Sequence, residues 1–316
     1  MLITDITKSH GTTFSGEYRI RSLLLGTSRS GAPYASFELG DMTGSLKSYF
    51  WIDSDYGPPD LAEMDHVSVS ARLECLDGKC VGLVNSIQAV KEYDANPVEL
   101  IPVWQCPLPY LMHYLHQTVM AIKLEPLSSF LVSVFKDDSI ALPFVAFPGS
   151  TTYHHAFAGG LLEHSLECTE IVNCMPQFSP EIKDLGIVAS LLHDVGKIRT
   201  LTEAARLSCA GFLINHEAVT LEILTPHLKK LDKEWPDGAL ALRYLLTWKS
   251  HTYRKFPLMT MAEAVLAADR ISSGLSREII DFAALPSWRN ATKSLFKDGF
   301  WRPRPYRGIN ETSSNH

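Results

Sequence analysis

The spacing of apolar residues changes once along this chain, and that change constrains the fold more than any other feature. From residue 17 to residue 90 apolar and polar side chains alternate, the pattern of strands with one buried face. EYRIRSLLL leads into the turn-prone SRSGAP, then YASFELGD, MTG and SLKSYFWI. A Pro- and acid-rich connection, DSDYGPPDLAEMD, separates these from HVSVSARLEC, the turn LDGK and CVGLVNSIQAV. Around YDANPVELIP the alternation stops, and the rest of the chain repeats with helical spacing.

Five strands with a single long connection, between the third and the fourth, form the layout of an OB-fold barrel. A glycine closing the first strand region and the D-x-T-G turn before the third strand fit that layout. We therefore expect an α+β multidomain chain. An N-terminal five-stranded OB-fold β-barrel, binding nucleic acid, takes residues 1–95; a linker takes 96–104; an all-α helical bundle takes 105–296; and a flexible basic and aromatic tail takes 297–316. On the third strand Leu46, Ser48 and Phe50 share one side, and Lys47, Tyr49 and Trp51 the other. One side fills the barrel. The other either stacks bases of a single strand, with Lys47 on its phosphates, or packs against the next domain.

In the second half, LPYLMHYLHQTVMAIK and PLSSFLVSVFKD read as amphipathic helices and ALPFVAFPGS as an apolar loop. GLLEHSLECTEIVNCM, SPEIKDLGIVASLLHD, NHEAVTLEILTPHLKKL, GALALRYLLTWK, TMAEAVLAADRISS and SREIIDFAAL read as further helices. The chain has 316 residues, 46% of them hydrophobic, enough to bury two cores. No apolar run reaches the roughly 18 residues that span a bilayer, and MLITDITKSHG has no secretion-signal layout, so we expect a cytoplasmic protein that makes no membrane contact. Its six cysteines follow no framework spacing and read as reduced, mostly buried thiols. The net charge of −6 argues against a protein that coats nucleic acid, but not against an enzyme holding a short strand in a cleft. Residues 1–95 carry 8 Lys/Arg against 13 Asp/Glu.

Two stretches then carry the chemistry: TTYHHAFAGGLLEHS, at residues 151–165, and LGIVASLLHDVGKIRTL, at residues 185–201. An apolar helix ending in His193-Asp194 buries a carboxylate beside an imidazole, which is costly unless each is paired or bound to metal. That donor pair suits divalent ions of the Zn, Fe and Mn type. Gly196 would let the chain turn sharply, and Lys197, one helical turn past His193, could meet a substrate phosphate. Asp269 falls on the core-facing stripe of AEAVLAADRIS, an odd place for a carboxylate without a role. His113, His116 and His227 read as surface or half-buried helix residues.

An H…HD…D pattern on a helical bundle resembles the HD superfamily of metal-dependent phosphohydrolases. More narrowly, YHHAFAGGLLEHS, LLHDVGK, INHEAV and AADRIS behind an OB-like module resemble the bacterial 3′-to-5′ exoribonucleases that join an OB-fold to an HD domain. HD-type relaxase proteins of conjugative elements share the HHA-x-x-GGLLEHS block and the ADRIS segment. The resemblance implies that His164, His193, Asp194 and Asp269 hold one divalent metal ion and that His216 serves a second. Mn²⁺ is the first expectation, with Mg²⁺, Fe²⁺, Ni²⁺, Co²⁺ or Zn²⁺ as alternatives. Where the exoribonucleases carry paired histidines, this chain reads LLTWKSHTYR, so either His251 supplies the ligand through a shifted loop or the second ion is weak or absent. Of His154 and His155, one is expected to touch substrate phosphate or support the ligands, and the other to pack.

The leading expectation is a metal-dependent 3′-to-5′ exonuclease of single-stranded RNA or DNA, with Asp194, Lys197 and Asp269 catalytic. The alternatives are a phosphohydrolase of nucleotides or cyclic nucleotides, and a non-catalytic HD protein binding nucleic acid or a partner. The oligomeric state is open, a homo-oligomer included.

Overall fold

The computed structural model describes residues 1–8, 11–52, 60–76, 78–91, 96–152, 154–248, 258–292 and 299–303. Five strands, β1 (Thr13–Thr27), β2 (Pro33–Gly40), β3 (Ser45–Trp51), β4 (His66–Leu76) and β5 (Lys79–Ala89), close into a barrel in the order β1-β2-β3-β5-β4. All neighbours are antiparallel except β3 and β5, which pair in parallel through Ser48↔Gly82, Tyr49↔Leu83 and Phe50↔Val84. The OB-type layout expected from the strand spacing is the one observed.

Alternation sets the barrel's interior: Phe14, Tyr18, Ile20, Phe37, Leu39, Leu46, Val67, Val69 and Leu73 are all buried. A short helix, α1 (Ile3–Ile6), plugs one end with Ile3 and Ile6. Asp41 ties that plug to the D-x-T-G turn. One carboxylate oxygen accepts the Ile3 N–H at 2.6 Å, and the other accepts the Thr43 N–H at 2.7 Å and the Gly44 N–H at 3.1 Å.

Nine helices follow: α2 (Leu111–Ala121), α3 (Glu125–Phe135), α4 (Asp138–Ala146), α5 (Gly160–Asn173), α6 (Pro180–Leu192), α7 (Lys197–Thr200), α8 (His216–Glu234), α9 (Pro236–Thr247) and α10 (Thr260–Ala283) among the described residues. The α+β class is therefore as expected, with two local corrections. The apolar loop expected at ALPFVAFPGS is helix up to Ala146, because Asp137 caps α4 by accepting the Ser139 N–H at 3.0 Å and the helix buries Ile140, Ala141, Phe144 and Val145. Pro143 forfeits one helical bond, and burial outweighs it. TMAEAVLAADRISS and SREIIDFAAL are one continuous helix, α10. Around α6, whose residues Leu185–Leu192 are all buried, α5, α9 and α10 assemble a core separate from the barrel's.

The segment between the halves is packed against both. Val98, Leu100 and Ile101 are buried, and the Trp104 ring lies where a Cβ on Gly40 would sit, 1.9 Å from its nearest carbon. The Arg21 guanidinium lies over the same ring, 4.4 Å from its centroid. Arg19, buried at the barrel's edge, donates to the Asp138 carboxylate on α4 at 2.7 Å, to the Met64 carbonyl at 2.9 Å and to the Leu100 carbonyl at 3.4 Å. The cysteine expectation needs correction as well: all six are free, but Cys75, Cys174 and Cys209 are exposed and only Cys106 and Cys168 are buried. No helix among the described residues is long and apolar enough to cross a membrane. Most of the tail lies outside the described residues.

Candidate metal centre

Three helices deliver four donor atoms to one point. α5 brings His164, the end of α6 brings His193 and Asp194, and α10 brings Asp269. His164 Nε2 lies 3.4 Å from Asp194 Oδ2 and 3.3 Å from Asp269 Oδ1. His193 Nε2 lies 3.4 Å and 4.0 Å from the same two oxygens. His164 and Asp194 are buried; Asp269 is half-exposed where the centre meets solvent. His216, the first residue of α8, adds Nε2 at 2.9 Å from Asp194 Oδ1. The four residues expected to hold one ion lie together there, with His216, expected to serve a second, beside them; His251 lies outside the described residues.

Local sequence explains the placement. Ser179 caps α6 and Pro180 starts it, and the helix then runs through solid core to deliver His193-Asp194 at its C-terminal end. Gly196 is needed for a different reason than a sharp turn, since its φ is −59°. A Cβ there would sit 2.0 Å from the His216 carbonyl oxygen, so glycine lets the start of α8 close on the HD pair. Thr220 seals that contact, accepting the Gly196 N–H at 2.9 Å and donating to the His193 carbonyl at 3.1 Å.

The electrostatics match a cation site. Burial would raise the Asp194 pKa, but His193 and Lys197 hold it well below the usual carboxylate range. Burial would likewise raise Asp269, and His164 holds it down. Burial would lower His164, yet its bonds to the two aspartates hold it well above the usual histidine range. Burial keeps the His193 pKa low, so its ring is neutral, with Nδ1–H donating to the Ser190 carbonyl at 2.8 Å and Nε2 buried without a partner. Two carboxylates facing two imidazole nitrogens at 3.3–4.0 Å, one of them orphaned, fit a divalent cation of the type that takes mixed N and O donors.

Lys197 is at the centre but engaged within the protein. Its ammonium contacts the Asp194 carboxylate and donates to the Gly149 carbonyl at 2.6 Å. His154 stands beside the centre, its ring 6.3 Å from that of His164 and its pKa pushed down to about 4 by burial and then by Lys197. His155 is buried behind the centre between two glutamates, Nδ1 at 3.1 Å from Glu163 and Nε2 at 3.3 Å from Glu167. Cys168, Glu167 and Ser272 are given no place at the site by the sequence reading. The signal was available: Cys168 is four residues after His164 and Ser272 three after Asp269, each on its neighbour's helical face. Cys168 Sγ lies 3.8 Å from His164 Nε2, and with His193 these form a further group that could share a metal. His227 is buried and structural, bonded through Nδ1 to the Ser133 hydroxyl at 2.9 Å.

Outside the centre, a cleft of about 320 Å³ runs past His193, Asp194, His216 and Asp269 to an apolar wall of Leu245, Leu246 and Trp248. On the barrel, Tyr49 and Trp51 stand on the outer face of β3 with Tyr34 of β2 between them, at ring distances of 6.0 and 5.7 Å. Lys47 Nζ is 5.9 Å from the Tyr49 ring centroid, and Trp51 is 52% exposed. Tyr34 completes this platform and was missed because it lies on a different strand from the residues it joins.

No family model matches the chain. Among curated proteins, the 3′-5′ exoribonuclease YhaM of Bacillus subtilis is 22% identical over 234 residues, covering 72% of this chain and 73% of its own. YhaM of Listeria welshimeri is 22% identical over 270 residues, with 81% and 84% covered. YhaM of Oceanobacillus iheyensis is 22% identical over 280 residues, with 84% and 86% covered. Among solved structures, the second OB-fold domain of replication protein A from Methanococcus maripaludis overlies 27% of the chain at 15% identity and a TM-score of 0.23, too slight a likeness to add to the fold reading. An alignment of 280 residues exceeds either half alone, so the chain, barrel and helices together, is similar at a distance to the 3′-5′ exoribonucleases named YhaM.

Proposed function

We propose that this chain is a metal-dependent 3′-to-5′ exonuclease of single-stranded nucleic acid, of the HD phosphohydrolase type. The observation that carries this reading is that His164 Nε2 and His193 Nε2 each lie within 4.0 Å of a carboxylate oxygen of both Asp194 and Asp269, beside a cleft. The distant likeness to named exoribonucleases supports the reaction class and favours RNA as the polymer. His164 Nε2, His193 Nε2, Asp194 and Asp269 would hold one divalent ion, Mn²⁺ in the first instance, and His216 would serve a second. An ion bound there supplies Lewis-acid polarisation of a phosphoryl oxygen and acidifies water.

The chain's own residues do the positioning. Asp269, half-exposed at the cleft, orients the attacking water. Lys197, held by Asp194 and the Gly149 carbonyl, fixes a positive charge beside the reacting phosphate. His154, beside His164, would touch the substrate phosphate. The Tyr34–Tyr49–Trp51 platform stacks bases while Lys47 meets the backbone, so the strand's affinity comes from rings more than from net charge.

The test is cleavage of 5′-labelled single-stranded RNA and DNA of one sequence with Mn²⁺, with chelator, and with Asp194→Ala. The expected result is a ladder shrinking from the 3′ end, reduced about 1,000-fold or more by chelator or variant, the several kcal/mol that a lost Lewis acid removes. A silent gel for both polymers overturns the reading.

A further inference from the structure

Resting on the metal-centre reading above, we propose that Ser272 and Glu167 are positioning residues that lock His164 in the one orientation and tautomer that offers Nε2 to the centre. The hydrogen-bond directions leave little freedom. Ser272 is buried on α10, one turn after Asp269. Its hydroxyl carries a single proton, and the Glu167 carboxylate 2.6 Å away takes it, since an ionised carboxylate only accepts. With its proton so used, the hydroxyl oxygen can only accept, from His164 Nδ1 at 2.9 Å and, at the longer distance of 3.4 Å, from His155 Nε2. With Nδ1 keeping its proton, Nε2, the atom facing Asp194 and Asp269, is the nitrogen that would exchange its proton for a cation and offer it the lone pair.

Glu167 is held in turn. His155 Nε2 lies 3.3 Å from the same Glu167 oxygen, and His155 Nδ1 is anchored 3.1 Å from Glu163. The other Glu163 oxygen accepts the Tyr110 hydroxyl at 3.1 Å. His155 reaches this place in a left-handed conformation, φ 52°, and its carbonyl passes 2.1 Å from where a Cβ on Gly160 would be. The Gly159-Gly160 pair thus serves to bring His155 against the back of the centre. A strained histidine, two glutamates and a buried hydroxyl make a long arrangement whose end point is a single imidazole nitrogen.

The two imidazole donors are secured differently. His193 Nδ1 donates to a backbone carbonyl, that of Ser190, which no side-chain substitution removes. His164 Nδ1 relies on a side chain and can be released. Groups that support metal-binding histidines in this way commonly contribute 10- to 100-fold to metal affinity.

The experiment titrates the full chain with Zn²⁺, chosen because it is diamagnetic, against a chromophoric chelator. Nitrogen-15 spectra of the loaded protein then follow the His164 Nδ1 proton. Ser272→Ala is expected to weaken Zn²⁺ by 10- to 100-fold and to speed exchange of that proton with water. Glu167→Gln, a near-isosteric change at a half-exposed site, is expected to act in the same direction with a smaller effect. His193 Nδ1 should be unchanged in both. Wild-type affinity and an unchanged His164 proton in either variant overturn the proposal, and Glu167→Gln decides alone if Ser272→Ala does not fold. Failure of the wild-type chain to bind Zn²⁺ is a separate outcome that overturns the metal-centre reading and this proposal with it.

Discussion

The barrel and the helical half place their chemistry in opposite positions. On the barrel the informative residues are outside: Trp51 is 52% exposed, beside Tyr49 and Tyr34. In the helical half they are inside, with His164 and Asp194 at 1% and 3% exposure. Strand alternation sets every second residue on the surface, where aromatic rings cost the fold nothing. A buried carboxylate is tolerated only where cations converge on it, so the helical centre is tied to the packing of α5, α6, α8 and α10. The barrel's outer face can change without changing its fold, while the helical centre cannot.

The largest expected effect strikes the contact between the two halves. Arg19→Ala removes a buried guanidinium that holds the Asp138 carboxylate and two backbone carbonyls, and should cost about 3 kcal/mol of stability in a urea titration. An unchanged midpoint would mean that the halves are held by Trp104 and the buried 98–101 segment alone. This contact also makes excision of residues 1–95 a poor test of the barrel's role, because Trp104 and Asp138 would lose the surfaces they pack on.

Point substitution on the platform is the sharper instrument. Trp51→Ala should weaken binding of a single strand by about 1–3 kcal/mol, the worth of one stacked base. It should move folding stability by no more than about 0.5 kcal/mol and leave cleavage of a dinucleotide intact. Affinity measured by anisotropy of a labelled oligonucleotide checks this, and equal loss on the dinucleotide would place Trp51 in the fold rather than at the strand.

The smallest effect is a pH dependence seated in the barrel. Burial, then the Arg19 guanidinium, pushes the His66 pKa from the usual 6.5 down to about 4. Above pH 6.5 the ring is neutral folded or unfolded and contributes no slope. As pH falls from 6.5 towards 4 the unfolded chain takes a proton that the folded chain refuses, so stability declines across that window. Urea midpoints at pH 7 and pH 5 should differ less in His66→Gln than in the natural chain, and equal differences would remove His66 from the account.

Much of the molecule was legible because cost leaves a trace in sequence. Alternation over residues 17–90 and a lone long connection pointed to the barrel, and a His-Asp pair at the end of an apolar helix pointed to a buried centre. Helical spacing also placed Asp269 on the core side. What escaped depends on neighbours far away in the chain. Tyr34 joins the platform through the register of β2 on β3, and Gly196 is required by α8 rather than by its own turn. Ser272 acquires its role only from a bond to a residue 108 positions earlier. The helix at Asp138–Ala146 was hidden by Pro143, whose local penalty is overcome by tertiary burial.

By itself, then, the sequence determined the two periodicities, and with them the strands, the helices and which faces each must bury, because burial of apolar surface acts on every residue locally. Only the tertiary structure decided which polar groups meet. The distances of 3.3–4.0 Å from His164 and His193 Nε2 to the Asp194 and Asp269 oxygens, and the meeting of His164 Nδ1 with Ser272, follow from helices packing at fixed separations. Hydrogen bonds are directional and short-ranged, so they are settled by which atoms the packed helices bring within reach.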